Sequence, residues 1–282
     1  MRPLFLLSLC APAFVLANDK GVDPKATDLF NLGGIPVSNS ILTTWILAAV
    51  IILAIRVLVG TPKIVPSKGQ ALVENMASGL RDALEPIVGK SMIGKVFPTL
   101  CGFFIFILLM NWSGLLPGVG TFKYLTADHG WQDAIRPATS DLNTTLALSI
   151  ISFAAWTYFV LRYAGFKVLI FDLFGNKADK KELSFPMWLM LSFIFLGVGG
   201  IEVVSIAFRL ISLSFRLYGN VFGGENLIHA LGGIAPYVVP AVAGLLEVLV
   251  GLIQAFVFTL LSAVYIGLIC NHEGGHDEEH AH

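Results

Sequence analysis

Charge is scarce in this 282-residue chain: Asp, Glu, Lys and Arg make up 13% of it, about half the share of a soluble domain. Acid and base nearly cancel, with 18 Lys and Arg against 19 Asp and Glu for a net charge of -1. That balance excludes the basic surface needed to hold nucleic acid. Cysteine is rare too. Cys10, Cys101 and Cys270 form no CxxC or other metal spacing and sit in apolar sequence, so they read as small buried hydrophobes. HExxH, GxSxG and paired catalytic aspartates are missing, which argues against an intramembrane enzyme. No internal repeat is present, nor the matching broken segments of an inverted-repeat transporter. No cofactor or metal site is expected. What the chain has in abundance is apolar sequence, at 56% hydrophobic residues and a mean hydropathy of +0.79. It reads as an integral membrane protein, best counted in spans of about 20 residues.

Residues 1–17 combine one positive residue, a short apolar run and Val15-Leu16-Ala17 before a polar segment, the pattern of a cleavable signal peptide. The mature N-terminus is then expected outside the cytoplasm, in an external segment over residues 18–40 with no core of its own. A single membrane domain is expected over residues 41–270. Its first span, 41–59, ends near Arg56, Lys63 and Lys68, a cytoplasmic flank. Residues 68–95 alternate apolar and charged positions at helical spacing and predict an amphipathic surface helix broken near Pro86. Spans over 96–116 and 142–163 follow, separated by an external loop. The third span leads to Arg162, Lys167, Lys177, Lys180 and Lys181, again a cytoplasmic flank.

Two apolar segments remain, 185–231 and 236–270. As unbroken helices they are about 70 and 50 Å long, against a hydrocarbon core of about 30 Å. The expected fold is therefore an all-α polytopic membrane protein with three roughly upright transmembrane helices, one amphipathic surface helix, and a long, strongly tilted or near-horizontal two-helix hairpin. The tail, 271–282, contains four histidines, is polar and mixed in charge, and reads as disordered and cytoplasmic.

The first long segment carries Glu202, Arg209, Arg216, Glu225 and His229 in apolar surroundings. Each ionisable group costs about 2.5 to 3.5 kcal/mol or more at the centre of a bilayer, so such a cluster points to function. Glu202, Arg209 and Arg216 are spaced by seven, and Ser205, Ser212 and Asn220 fall close to the same line at 100° per residue. Glu225 and His229 lie on the opposite face. In the second segment Glu247, Gly251 and Gln254 form one stripe that can face the first helix. Arg216 cannot lose its proton at working pH, so it is a fixed cation able to hold a carboxylate ionised and block proton leakage. Carboxylates and imidazole relay protons. Glu225, His229 and Glu247 thus read as one aqueous access path and Glu202, Ser205, Ser212 and Asn220 as another, with Arg216 between. No acidic residue at i+3 or i+4 neutralises Arg216, so its partner carboxylate is expected from another subunit.

SLSFRLYGNVFGGE, around Arg216, closely resembles the signature of subunit a of F-type ATP synthases, and LIQAFVFTLLSAVYI resembles the last helix of that family. VPSKGQALVENM, LLMNWSGLLPG and TSDLNTTLALS resemble further landmarks in the same order, from about residue 45 to 268. The resemblance implies a non-catalytic, proton-translocating stator subunit in a bacterial inner membrane, coupling ion flow to ATP synthesis on other subunits. Its implied partners are the subunit c ring, the subunit b peripheral stalk, other ATP synthase subunits and the lipid bilayer. Arg216 matches the family's essential arginine, facing the carboxylate of each passing subunit c. Asn220, Glu225 and Gln254 match further functional positions, and Glu202 and Ser205 the cytoplasmic-side path. Glu247 stands where some members have His, Gly114 where some have Asp, and Arg209 replaces a Lys. The alternative, from another class, is a self-contained secondary ion or solute transporter.

Overall fold

The structure is a computed structural model that describes residues 26, 28–32, 35–115, 123–126, 130–133, 136–166, 170, 185–232 and 238–270. Of the expectations above, the signal peptide, the basic residues from 167 to 181 and the tail lie outside the described residues. Two short antiparallel hairpins come before and between the helices. The first pairs β1 (Asp28–Leu32) with β2 (Ile35–Ser38), and the second pairs β3 (Lys123–Thr126) with β4 (Gly130–Asp133). Among the described residues, the six long helices are α1 (Asn39–Val59), α2 (Lys68–Val88), α3 (Lys90–Ser113), α4 (Leu142–Phe159), α5 (Phe185–Gly232) and α6 (Val238–Cys270). Five of them contain stretches long and apolar enough to cross a membrane; α2 does not.

Local chemistry sets the boundaries. Ser38, Ser67 and Asp141 cap α1, α2 and α4, their side-chain oxygens accepting from the backbone N–H of Ile41, Gln70 and Asn143. The surface segment differs from its expected form. Helix α2 runs through Pro86 and stops at Gly89, whose φ of 89° is open to glycine and strained for other residues. Pro86 and Asp82, whose carbonyl loses its helical donor there, are both exposed, so the freed oxygen is not buried. The chain then turns directly into α3 at Lys90, so residues 90–95 belong to the following span. A π-turn, Val160–Ala164, ends α4.

The core lies where α6 threads between α3, α4 and α2. Leu80, Leu84 and Val88 of α2 meet Val96 and Leu100 of α3, Phe159, and Ala263 and Ile266 of α6. Further along, Phe103 and Ile107 of α3 pack with Leu148, Leu213, Leu217, Ala255 and Phe258. Association between apolar helices in lipid depends on close approach and interhelical hydrogen bonds, and both are present. Gly251 lets α6 sit against Asn111 and Trp112 of α3, where Asn111 Nδ2 donates to the Gly251 carbonyl at 3.3 Å and Trp112 Nε1 to that of Val248 at 3.1 Å. Helix α5 packs on α4 and α6 through Leu213, Ser214, Leu217 and Val221 and leaves its other face open.

Candidate functional site

Helices α5 and α6 bring together the polar stripes that stand out in their sequences. Asn220 Nδ2 donates to Gln254 Oε1 at 3.0 Å, and Gln254 is only 4% exposed. About two turns earlier on α6, the Glu247 carboxylate lies against Gly224, where an added Cβ would be 3.3 Å from Oε1. Glycine at 224 therefore makes the room in which the acid packs. Glu225, the next residue, is half-buried. Two carboxylates, Glu225 and Glu247, thus stand on facing helices near the Asn220–Gln254 pair.

At the other end of the α5 stripe, Arg209 Nη2 donates to Glu202 Oε1 at 2.9 Å, a contact that the seven-residue spacing makes possible. The same guanidinium lies 4.2 Å from the centre of the Tyr265 ring, a cation–π contact from α6. Arg209 is therefore held on two sides.

Arg216 differs. It lies on the exposed face of α5, and none of the described residues pairs with it. Ser212, Gly219 and Gly223 share that exposure, and a Cβ added to either glycine meets nothing within 4 Å. Ser205 is half-buried on the Glu202 side. His229 belongs to α5, with its side chain outside the described residues. Along the axis, Glu202 and Glu225 lie about 21 and 14 Å from Arg216 at 1.5 Å per residue. The structure thus joins Glu202 to Arg209, and Asn220 to Gln254 with Glu247 alongside, and leaves Arg216 facing away from the rest of the chain.

Sequence spacing missed the α4 contribution. Thr145 and Ser214 hydroxyls meet at 3.2 Å, Ser152 and Ser262 at 3.0 Å, and Trp156 Nε1 donates to the Tyr265 carbonyl at 3.0 Å. These residues sit in three helices far apart in sequence, and hydroxyls in apolar runs carry no charge to draw the eye. The signal that could have found them is the recurrence of Thr145, Ser149 and Ser152 on one face of α4. Among the described residues, no group of His, Cys, Asp and Glu could hold a metal ion.

Two comparisons with known proteins bear on this geometry. A relative from a Bradyrhizobium species, ATP synthase subunit a 2, is 29% identical over 242 residues, covering 86% of this chain and 93% of its own. The family model described as ATP synthase A chain matches residues 41–267, which run from the first turn of α1 to the last turn of α6 and take in every side-chain contact of the site described above. The chain is a multi-pass membrane protein and belongs to the ATP synthase A chain family.

Proposed function

We propose that this chain is the stator subunit that carries protons through the membrane sector of an F-type ATP synthase, without itself performing ATP chemistry. The observation that carries the proposal is the state of Arg216, an exposed cation on an apolar helix, beside glycines that leave space for another surface. Arg209, the other arginine of the hairpin, is paired within the chain. An unpaired arginine in lipid costs about 2.5 to 3.5 kcal/mol or more, so Arg216 favours the approach of a carboxylate from outside the chain. The carboxylates of a turning subunit c ring meet that demand one after another. Each stays ionised while it faces Arg216, and it must be protonated before it can move on into lipid.

Two half-channels then serve the ring on either side of the arginine. Glu225, Glu247 and His229 supply protons from the outer compartment; Asn220, which its stripe groups with Glu202, instead bonds Gln254 and fixes α5 against α6 beside them. Glu202, Ser205 and Ser212 lead to the cytoplasm. Arg216 cannot release its proton, so it bars the direct route between the two. The length of α5 and α6 supports a strongly tilted hairpin that keeps both half-channels against the ring. The remaining partners are the subunit b stalk and the other ATP synthase subunits. The membrane is a bacterial inner membrane, with the mature N-terminus outside after signal-peptide removal and the tail inside. Arg216→Ala should abolish ATP synthesis by a fully assembled complex; unimpaired synthesis would overturn the assignment.

A further inference from the structure

A seam of hydroxyl groups runs inside the chain, on the side of α5 away from Arg216. It starts at Asp141, the cap of α4, whose Oδ2 accepts from Ser40 Oγ at 2.8 Å and which lines an external cleft with Asn143 and Thr144. Thr145, Ser149 and Ser152 continue it along one face of α4, about 16 Å in all at 1.5 Å per residue. Ser214 from α5 and Ser262 from α6 complete it, and all five hydroxyl residues are buried. The seam ends in a cavity of about 40 Å³ bounded by Ser149, Ser152, Ser262, Trp156, Arg209 and Tyr265. That volume has room for one or two waters, with the hydroxyls of Ser149, Ser152 and Ser262 as partners among the apolar Phe153, Ile206 and Leu213 that also line it. Beyond Arg209 lies Glu202, 44% exposed.

Hydroxyls and water together can pass protons, so a hydrated seam from the Asp141 cleft to Glu202 would bypass Arg216 altogether. What stands across it is Arg209, a cation that cannot deprotonate, held by Glu202 at 2.9 Å and Tyr265 at 4.2 Å. We propose that Arg209 is a second cationic seal, closing this internal seam so that protons cross only by way of the outer face of α5. Glu202 and Tyr265 are the positioning residues that hold the seal at the cavity. The proposal rests on the function given above, because only a proton-conducting chain needs a barrier against its own polar interior.

The test uses the complete complex in proteoliposomes, with passive proton conductance measured before and after a hydrophobic carbodiimide, which caps buried carboxylates and so stops the route past the ring. Arg209→Ser should raise the carbodiimide-resistant conductance several-fold, while Arg209→Lys, which keeps the cation, should not. Tyr265→Leu, which retains the Arg209–Glu202 pair, should raise it less and provides a milder variant if Arg209→Ser fails to assemble. Adding Ser152→Val to Arg209→Ser should suppress the leak by filling the seam. An unchanged conductance in both Arg209→Ser and Tyr265→Leu, a leak abolished by carbodiimide, or a leak untouched by Ser152→Val would each overturn the proposal. Failure of the functional assignment looks different: the unaltered complex would then show no carbodiimide-sensitive conductance.

Discussion

Gly251→Ala tests the packing that holds α6 in place. A Cβ at 251 would lie 3.1 Å from Asn111 Cβ and 3.3 and 3.4 Å from Cδ1 and Nε1 of the Trp112 indole. The indole can rotate slightly, but Asn111 Cβ is fixed to the α3 backbone, so relief requires α6 to move away from α3. Overpacking of this kind costs about 1–3 kcal/mol. The movement also lengthens the Asn111–Gly251 and Trp112–Val248 hydrogen bonds, each worth about 0.6 kcal/mol between membrane helices. Better helix propensity returns about 1 kcal/mol. The net expectation is a loss of about 1–3 kcal/mol, read by unfolding of the purified protein in mixed micelles. Gly219→Ala and Gly223→Ala are the controls, because a Cβ there touches nothing in this chain. They should leave its stability level or slightly raised while obstructing whatever surface docks there. Equal stability of the Gly251 and Gly219 variants would refute the packing.

A double-mutant cycle on Asn220→Ala and Gln254→Ala should give a coupling energy of about 0.6 kcal/mol, and no more than about 1.7; purely additive losses would place the two amides apart. Gly267→Ala should destabilise more than Gly251→Ala in the same unfolding assay, since its Cβ would fall on the backbone carbonyl of Ile87, which no side-chain rotation can move. Trp156→Phe keeps an aromatic ring but removes the donor to Tyr265 along with part of the indole, and should cost at least about 0.6 kcal/mol; no loss would show that this bond does not tie α4 to α6.

Charge in an apolar helix is conspicuous in sequence because it is costly, and that made the hairpin legible. Glu202 and Arg209 are placed on one line by their spacing, and they meet. Asn220 and Gln254 lie on stripes that can face each other, and they bond. The serine contacts of α4 were not legible, because which hydroxyl meets which depends on how three distant helices pack. Near the N-terminus, DLFNL and IPVS flank Gly33-Gly34, a standard hairpin signal, yet the segment reads as coreless because its prolines and glycines dominate. Pro86 misleads in the opposite sense: a proline on an exposed helix face can be accommodated, and Gly89, with its positive φ, is the true stop. Arg216 is the residue on which the two views differ in kind. Sequence spacing shows that no acid can neutralise it from within its own helix, and only the fold shows that none of the described residues elsewhere does so.

The central claim is that Arg216 divides two aqueous paths opening on opposite sides of the membrane. Single cysteines at positions 205, 212, 225 and 229, in a chain with Cys10, Cys101 and Cys270 replaced, test it directly with a membrane-impermeant thiol reagent applied from one side at a time. Positions 205 and 212 should react only from the cytoplasmic side and positions 225 and 229 only from the outer side. Reaction of all four from the same compartment would contradict it.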